Sequence, residues 1–140
     1  MSEAPETPWH LWTVAIVSLL WNGSGAYVIM MAQAGKLPGL DPGEIAYYAA
    51  QPLWLVIATN VSLLTALAAG IALIMRKGIA VHLFAISLAA FLAANLYDVA
   101  AGTSRTLANQ TALIVTVIIF ALAVLQLAYA WATRRRGVLV

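Results

Sequence analysis

A chain of 140 residues that is 64% hydrophobic and only 9% charged, with a mean hydropathy of +0.93, has too little polar material to cover a soluble domain of its size, in which about a quarter of residues are charged. Its seven basic residues fall mostly into two short clusters, a pattern that signals membrane topology rather than a nucleic-acid footprint. Cysteine is absent, which excludes a disulfide framework, a thiolate nucleophile and a thiolate metal site and leaves the redox compartment unconstrained.

Residues 1–10 form a short tail with Glu3 and Glu6 but no Lys or Arg. A first apolar block follows at about 11–32, and others lie at about 53–75, 79–101 and 111–132. Each is 22 or 23 residues long, or roughly 33 Å as helix, enough to cross a hydrocarbon core of roughly 30 Å. None contains Lys or Arg, and Asp98 is their sole acid. The blocks do not alternate polar and apolar residues, which argues against a β-barrel. No block has a charged face, which argues against a soluble bundle. The expected fold is therefore all-α, a single integral membrane domain in which four helices run up and down.

Ala32-Gln33-Ala34 has the small-x-small look of a cleavage site. The preceding apolar block is too long for a signal peptide and its flank lacks basic residues, so the first span is expected to be retained. Residues 33–52 form the longest connection. Asp41-Pro42-Gly43-Glu44 predicts a short helix with Asp at the N-cap, Pro at N1 and Glu at N3. That helix, carrying Tyr47 and Tyr48, is expected at the membrane surface, either as a plain ordered loop or as a lid over a site. Arg76-Lys77-Gly78 is so short a turn that the spans on either side must be antiparallel neighbours. Residues 133–140 read as a basic tail.

With four spans, both termini and the Arg76-Lys77 turn share one side. Arg76, Lys77, Arg134, Arg135 and Arg136 lie there, against Lys36 and Arg105 on the other, five bases to two. This bias predicts cytoplasmic termini. Trp9, Trp12, Trp54 and Trp131 sit at span ends, where an interfacial belt is expected; Trp21 lies near mid-membrane.

Polar residues inside the spans are the candidate functional groups. Asn22, Asn60, Asn95 and Asp98 stand out, with Tyr27 within reach. Asn95 and Asp98 are three apart on one helix face. Depth allows Asn60, Asn95 and Asp98 to meet near the external end, and an amide in hydrocarbon needs a partner. The cluster reads either as interhelical hydrogen bonding or as a small pocket for a polar solute, and Asp98 either as a surface partner of Arg105 or as a pocket group. Gln126 falls in the other half of the membrane. His10 and His82 share a side without a third ligand, so no metal site is expected. Gly23, Gly25 and Ala26, then Ala66 and Gly70, then Ala85, Ala89 and Ala93, form small-residue surfaces for helix packing within the bundle or between copies.

The run Leu20-Trp21-Asn22 followed by Gly25, the segment Leu40-Asp41-Pro42-Gly43-Glu44-Ile45-Ala46-Tyr47-Tyr48, and Pro52-Leu53-Trp54 together resemble a family of small bacterial four-span membrane proteins of unassigned function. Some of its members carry an automatic sugar-transporter label. An acidic residue often follows the tyrosine in that family, where this chain has Ala49 and Ala50. The resemblance implies the four-span fold and no active site. A structural or accessory role, alone or with a copy or membrane partner, leads the functional expectations. Transport or binding of a small solute by an oligomer is the alternative; the acid that small multidrug exporters carry deep in their first span is replaced here by Asn22. An enzyme is the weakest reading, since no nucleophile is paired with a base. No cofactor and no nucleic acid are expected; the lipid bilayer is the evident partner.

Overall fold

The computed structural model describes residues 6–104 and 109–140, and the regular elements among them are all helices, with no strand. The helices are α1 (Trp9–Gln33), α2 (Pro42–Ala49), α3 (Leu53–Ile74), α4 (Ile79–Ala100) and α5 (Gln110–Arg135). Four of the five are long and apolar enough to cross a membrane. The chain is a four-helix membrane bundle with α2 as a short accessory helix. Helix is the natural state for such runs, because hydrocarbon offers no partner to backbone N–H and C=O groups.

Helix ends follow local chemistry. Pro8 and Pro52 precede α1 and α3 as N-caps, where a missing N–H costs nothing. Asp41 and Glu44 close a capping box around the start of α2: Glu44 N donates to Asp41 Oδ1 at 2.8 Å and Asp41 N to Glu44 Oε2 at 3.2 Å. At the end of α3, Lys77 N donates to Ala72 O and Arg76 N to Leu73 O, the bond pair of a helix that turns back through a left-handed residue. That residue is Arg76, at φ 57°, where glycine is usual and an arginine is strained. Its neighbours hold it there: Arg76 Nε donates to Val138 O and Arg76 O accepts from Val140 N.

The spans pack in the order α1, α3, α4, α5, with the contact broadest between α3 and α4, as the short turn of residues 75–78 dictates. Between lipid-bathed helices the hydrophobic effect gives little, so close contact and hydrogen bonds must do the holding. Ser62 and Ser87, both buried, clasp α3 to α4 reciprocally. Ser62 Oγ donates to Ser87 O at 2.8 Å and Ser87 Oγ to Ser62 O at 2.7 Å. Gly70 lets α1 and α3 approach: a Cβ there would sit 2.8 Å from Leu19 Cδ2 and 2.9 Å from its Cγ. Gly23 and Gly25 face Leu67 and Leu63 of α3 at ordinary contact distance. The third small-residue surface goes elsewhere. Ala85, Ala89 and Ala93 are exposed on the outside of α4.

Burial is uneven along the bundle axis. The core of Leu11, Ala15, Ala69, Ala72, Leu73, Ala80, Phe84 and Ala130 lies toward the end that carries both termini. Val138 and Leu139, expected in a basic tail, are buried in it. After Gly137 the chain folds back under the bundle, with Gly78 N donating to Val140 O at 2.8 Å and Val140 N to Arg76 O at 2.9 Å. Two apolar side chains beyond the arginines make that return favourable. Toward the opposite, loop end, α5 has no buried residue before Ala130.

Replacing Gly70 by Leu should destabilise the bundle by about 1–3 kcal/mol through overpacking, measured by denaturant unfolding in detergent. Adding Leu19→Ala should recover a large part of that loss. Additive effects of the two substitutions would contradict the α1–α3 contact.

Candidate functional site

The uneven packing leaves a cavity of about 720 Å³ in the loop half of the bundle, bounded by all four spans and α2. Its mouth lies at Glu44, Tyr47, Tyr48 and Gln51, and its inner end at Asn22, Ser87, Phe84 and Gln126. Apolar side chains such as Val28, Leu63, Val115 and Ile119 form the walls between. Glu44 and Asp98 are the lining carboxylates, and among the described residues no Lys, Arg or His joins them. The cavity also opens sideways. The α1 and α5 residues beside it, Trp21, Val28 and Val115, are 41%, 43% and 47% exposed.

The sequence-derived cluster separates into distinct contacts. Asn22 lines the inner end; its Nδ2 donates to Ser18 Oγ at 3.2 Å and to Gln126 Oε1 at 3.4 Å. Gln126, assigned by depth to the other half of the membrane, is thus the partner of Asn22 across the α1–α5 seam. Nearer the termini the same seam is bridged by His10 Nδ1 and Tyr129 Oη, 2.6 Å apart. Asn60 meets neither Asn95 nor Asp98. Its Nδ2 donates to Gln33 Oε1 and to Val56 O, both at 2.8 Å, because α1 runs one residue beyond its expected end and brings Gln33 alongside. Asn95 lines the cavity and donates back to Phe91 O at 2.9 Å. Tyr27 is 61% exposed on the outer surface of α1 and is not in the lining. Five residues along a helix turn it about 140° from Asn22.

Asp98 holds the mouth together. Tyr47 Oη donates to its Oδ2 at 2.7 Å and Thr103 Oγ1 to its Oδ1 at 3.0 Å. The first bond pins α2 to α4 and makes α2 a cover at the rim, with the Tyr47 and Tyr48 rings edge to face at 5.2 Å. The expected contact of Asp98 with Arg105 lies outside the described residues. Burial and the hydrogen bond to Asp98 push the Tyr47 phenol up to about 12, so it stays a donor throughout the physiological range. Two buried polar atoms beside this rim, Gln33 Nε2 and Gln51 Oε1, have no hydrogen-bond partner among the described residues. A buried unsatisfied group costs about 1–3 kcal/mol. The serines and the rim glutamines give no sequence signal of their own, because an isolated small or amide side chain in an apolar run does not reveal which helix it faces.

No protein-family model matches the chain, and searches of curated proteins and of solved structures found no match.

The raised pKa of Tyr47 fixes the sign of a pH effect. A phenol whose folded value lies above its unfolded value of 10.0 stabilises the docked α2 fully below pH 10, and that contribution is lost as pH climbs toward 12. Hydrogen exchange of α2 amides, corrected for intrinsic rates, should therefore show constant protection from pH 7 to 9. Tyr47→Phe should lower that protection without affecting α3 or α4. Unchanged protection in the variant would contradict the latch.

Proposed function

We propose that this protein binds a small amphipathic molecule of the bilayer in the loop-end cavity. The observation that supports this reading is the cavity itself, whose volume of about 720 Å³ lies within the roughly 300–1,000 Å³ typical of small-molecule sites. Apolar walls suit a hydrocarbon or aromatic body. The Asn22–Gln126 pair at the inner end and the unsatisfied amide atoms of Gln33 and Gln51 at the rim suit polar groups at either extremity. With two carboxylates and no base in the described lining, a neutral or cationic molecule fits better than an anion. The seam between α1 and α5 gives such a molecule a way in from the membrane. The apolar core at the termini end blocks passage through a single chain, which favours binding over conduction.

The charge bias further supports cytoplasmic termini with α2 outside, and the resemblance in the loop and first span supports a bacterial inner membrane. The same small bacterial four-span family is proposed as its home, on the loop and first-span segments. A structural or accessory role through self-assembly is the second reading, favoured by Ala85, Ala89 and Ala93 exposed as a small-residue stripe on α4.

Thermal unfolding in lipid nanodiscs tests the binding reading. A single-chain amine such as dodecylamine should stabilise the protein, by about 2.7 kcal/mol at a hundredfold excess over its Kd, whereas glucose should not. Ala123→Phe, which fills the cavity from the loosely packed face of α5, should fold and lose the effect. No stabilisation by any amphiphile, or equal stabilisation of the variant, would leave self-assembly in its place. For orientation, a fluorescent protein fused after Val140 should be bright and an alkaline phosphatase at the same point inactive; the reverse would invert the topology.

A further inference from the structure

The termini end carries a second concave surface, shallow and open, of about 630 Å³, lined by Gly78, Ile79, His82, Arg134, Leu139 and Val140. We infer that it seats the phosphate of an anionic phospholipid from the adjoining leaflet. Five of the chain's seven bases lie at this end, and Glu6 is the only acidic side chain there among the described residues. Three of the five do different things. Arg76 is committed to the strap through its bond to Val138 O. Arg135 lies over the ring of Trp131 at 4.0 Å, a cation–π pair on a half-exposed tryptophan that marks headgroup depth. Arg134 reaches back over the turn between α3 and α4. Its Nε lies 3.4 Å from where a Cβ on Gly78 would be, so the absence of a side chain at Gly78 gives the guanidinium its place above the start of α4.

The chemistry of that surface is matched to a lipid rather than to a free anion. Arg134 offers a forked set of donors suited to phosphate, and exposed His82 stands one turn along α4 on the same rim. Next to this polar edge, Ile79 is 56% exposed and Val140 81% exposed, an apolar floor for the glycerol and the first acyl carbons. A soluble phosphate would use the first half of the site and gain nothing from the second. The inference is independent of the loop-end cavity, which lies at the other end of the bundle.

Native mass spectrometry of the detergent-purified chain tests it directly. Equal amounts of phosphatidylglycerol and phosphatidylcholine with identical acyl chains should give adducts dominated by phosphatidylglycerol. Arg134→Gln should cut that adduct about fivefold, the weight of one base near a lipid surface. His82→Gln, a change at an exposed position that leaves the core intact, should reduce it as well. Lys36→Gln, at the opposite end, should not. Equal adducts of the two lipids, a phosphatidylglycerol preference unchanged in both the Arg134 and His82 variants, or displacement of the lipid by equimolar inorganic phosphate would each overturn the assignment.

Discussion

The architecture depends on how tightly four apolar helices can approach at one end. Lipid solvates leucine as well as another helix does, so burial of apolar area cannot by itself hold such a bundle together. Close contact and shared hydrogen bonds must. Both are concentrated toward the termini: Gly70 beneath Leu19, the apolar core around Leu73 and Phe84, and the strap of Val138 to Val140 threaded between Arg76 and Gly78. The reciprocal bonds of Ser62 and Ser87 continue the α3–α4 contact toward the middle.

What is packed at one end is missing at the other. With its only buried residues at Ala130 and Thr133, α5 is gripped at its C-terminal part and stands apart elsewhere. The gap becomes the cavity, and the polar residues of the spans line or flank it because an amide or carboxylate must avoid hydrocarbon. The rim is secured differently, by hydrogen bonds from a helix outside the four spans. Tyr47 and Asp98 stabilise a cover that few buried contacts support, and elements held this way open at lower free-energy cost than the core. The closed end and the adjustable end thus have separate physical origins in the same chain.

Much of this frame was legible in the sequence. Runs of 22 or 23 apolar residues leave little choice but spans, and Asp41-Pro42-Gly43-Glu44 spells the start of α2 because its bonds are local. The site was legible only in part. Asn22, Asn95 and Asp98 lie on the lining, since depth and the need for partners constrain them. Tyr27 fails on helical phase, which sequence does contain. The partners are harder: Asn22 with Gln126, Asn60 with Gln33 and Asp98 with Tyr47 join residues 104, 27 and 51 positions apart. Those pairings follow from which helices become neighbours around the ring and how far α1 extends, and hydropathy is blind to both. The burial of Val138 and Leu139 was hidden by three arginines that made the segment look like a solvated tail.

An accessible loop half stands above a sealed termini half, and the absence of cysteine makes that contrast measurable. Single cysteines placed at Asn22, Asn95 and Thr116 on the cavity lining, and at Ala15, Ala72 and Ala130 in the core, can be labelled with a small charged maleimide in reconstituted vesicles. Labelling of the first three, graded by depth from Asn95 inward, and protection of the second three are expected. Uniform protection of all six positions, or faster labelling of the core set, would contradict that contrast.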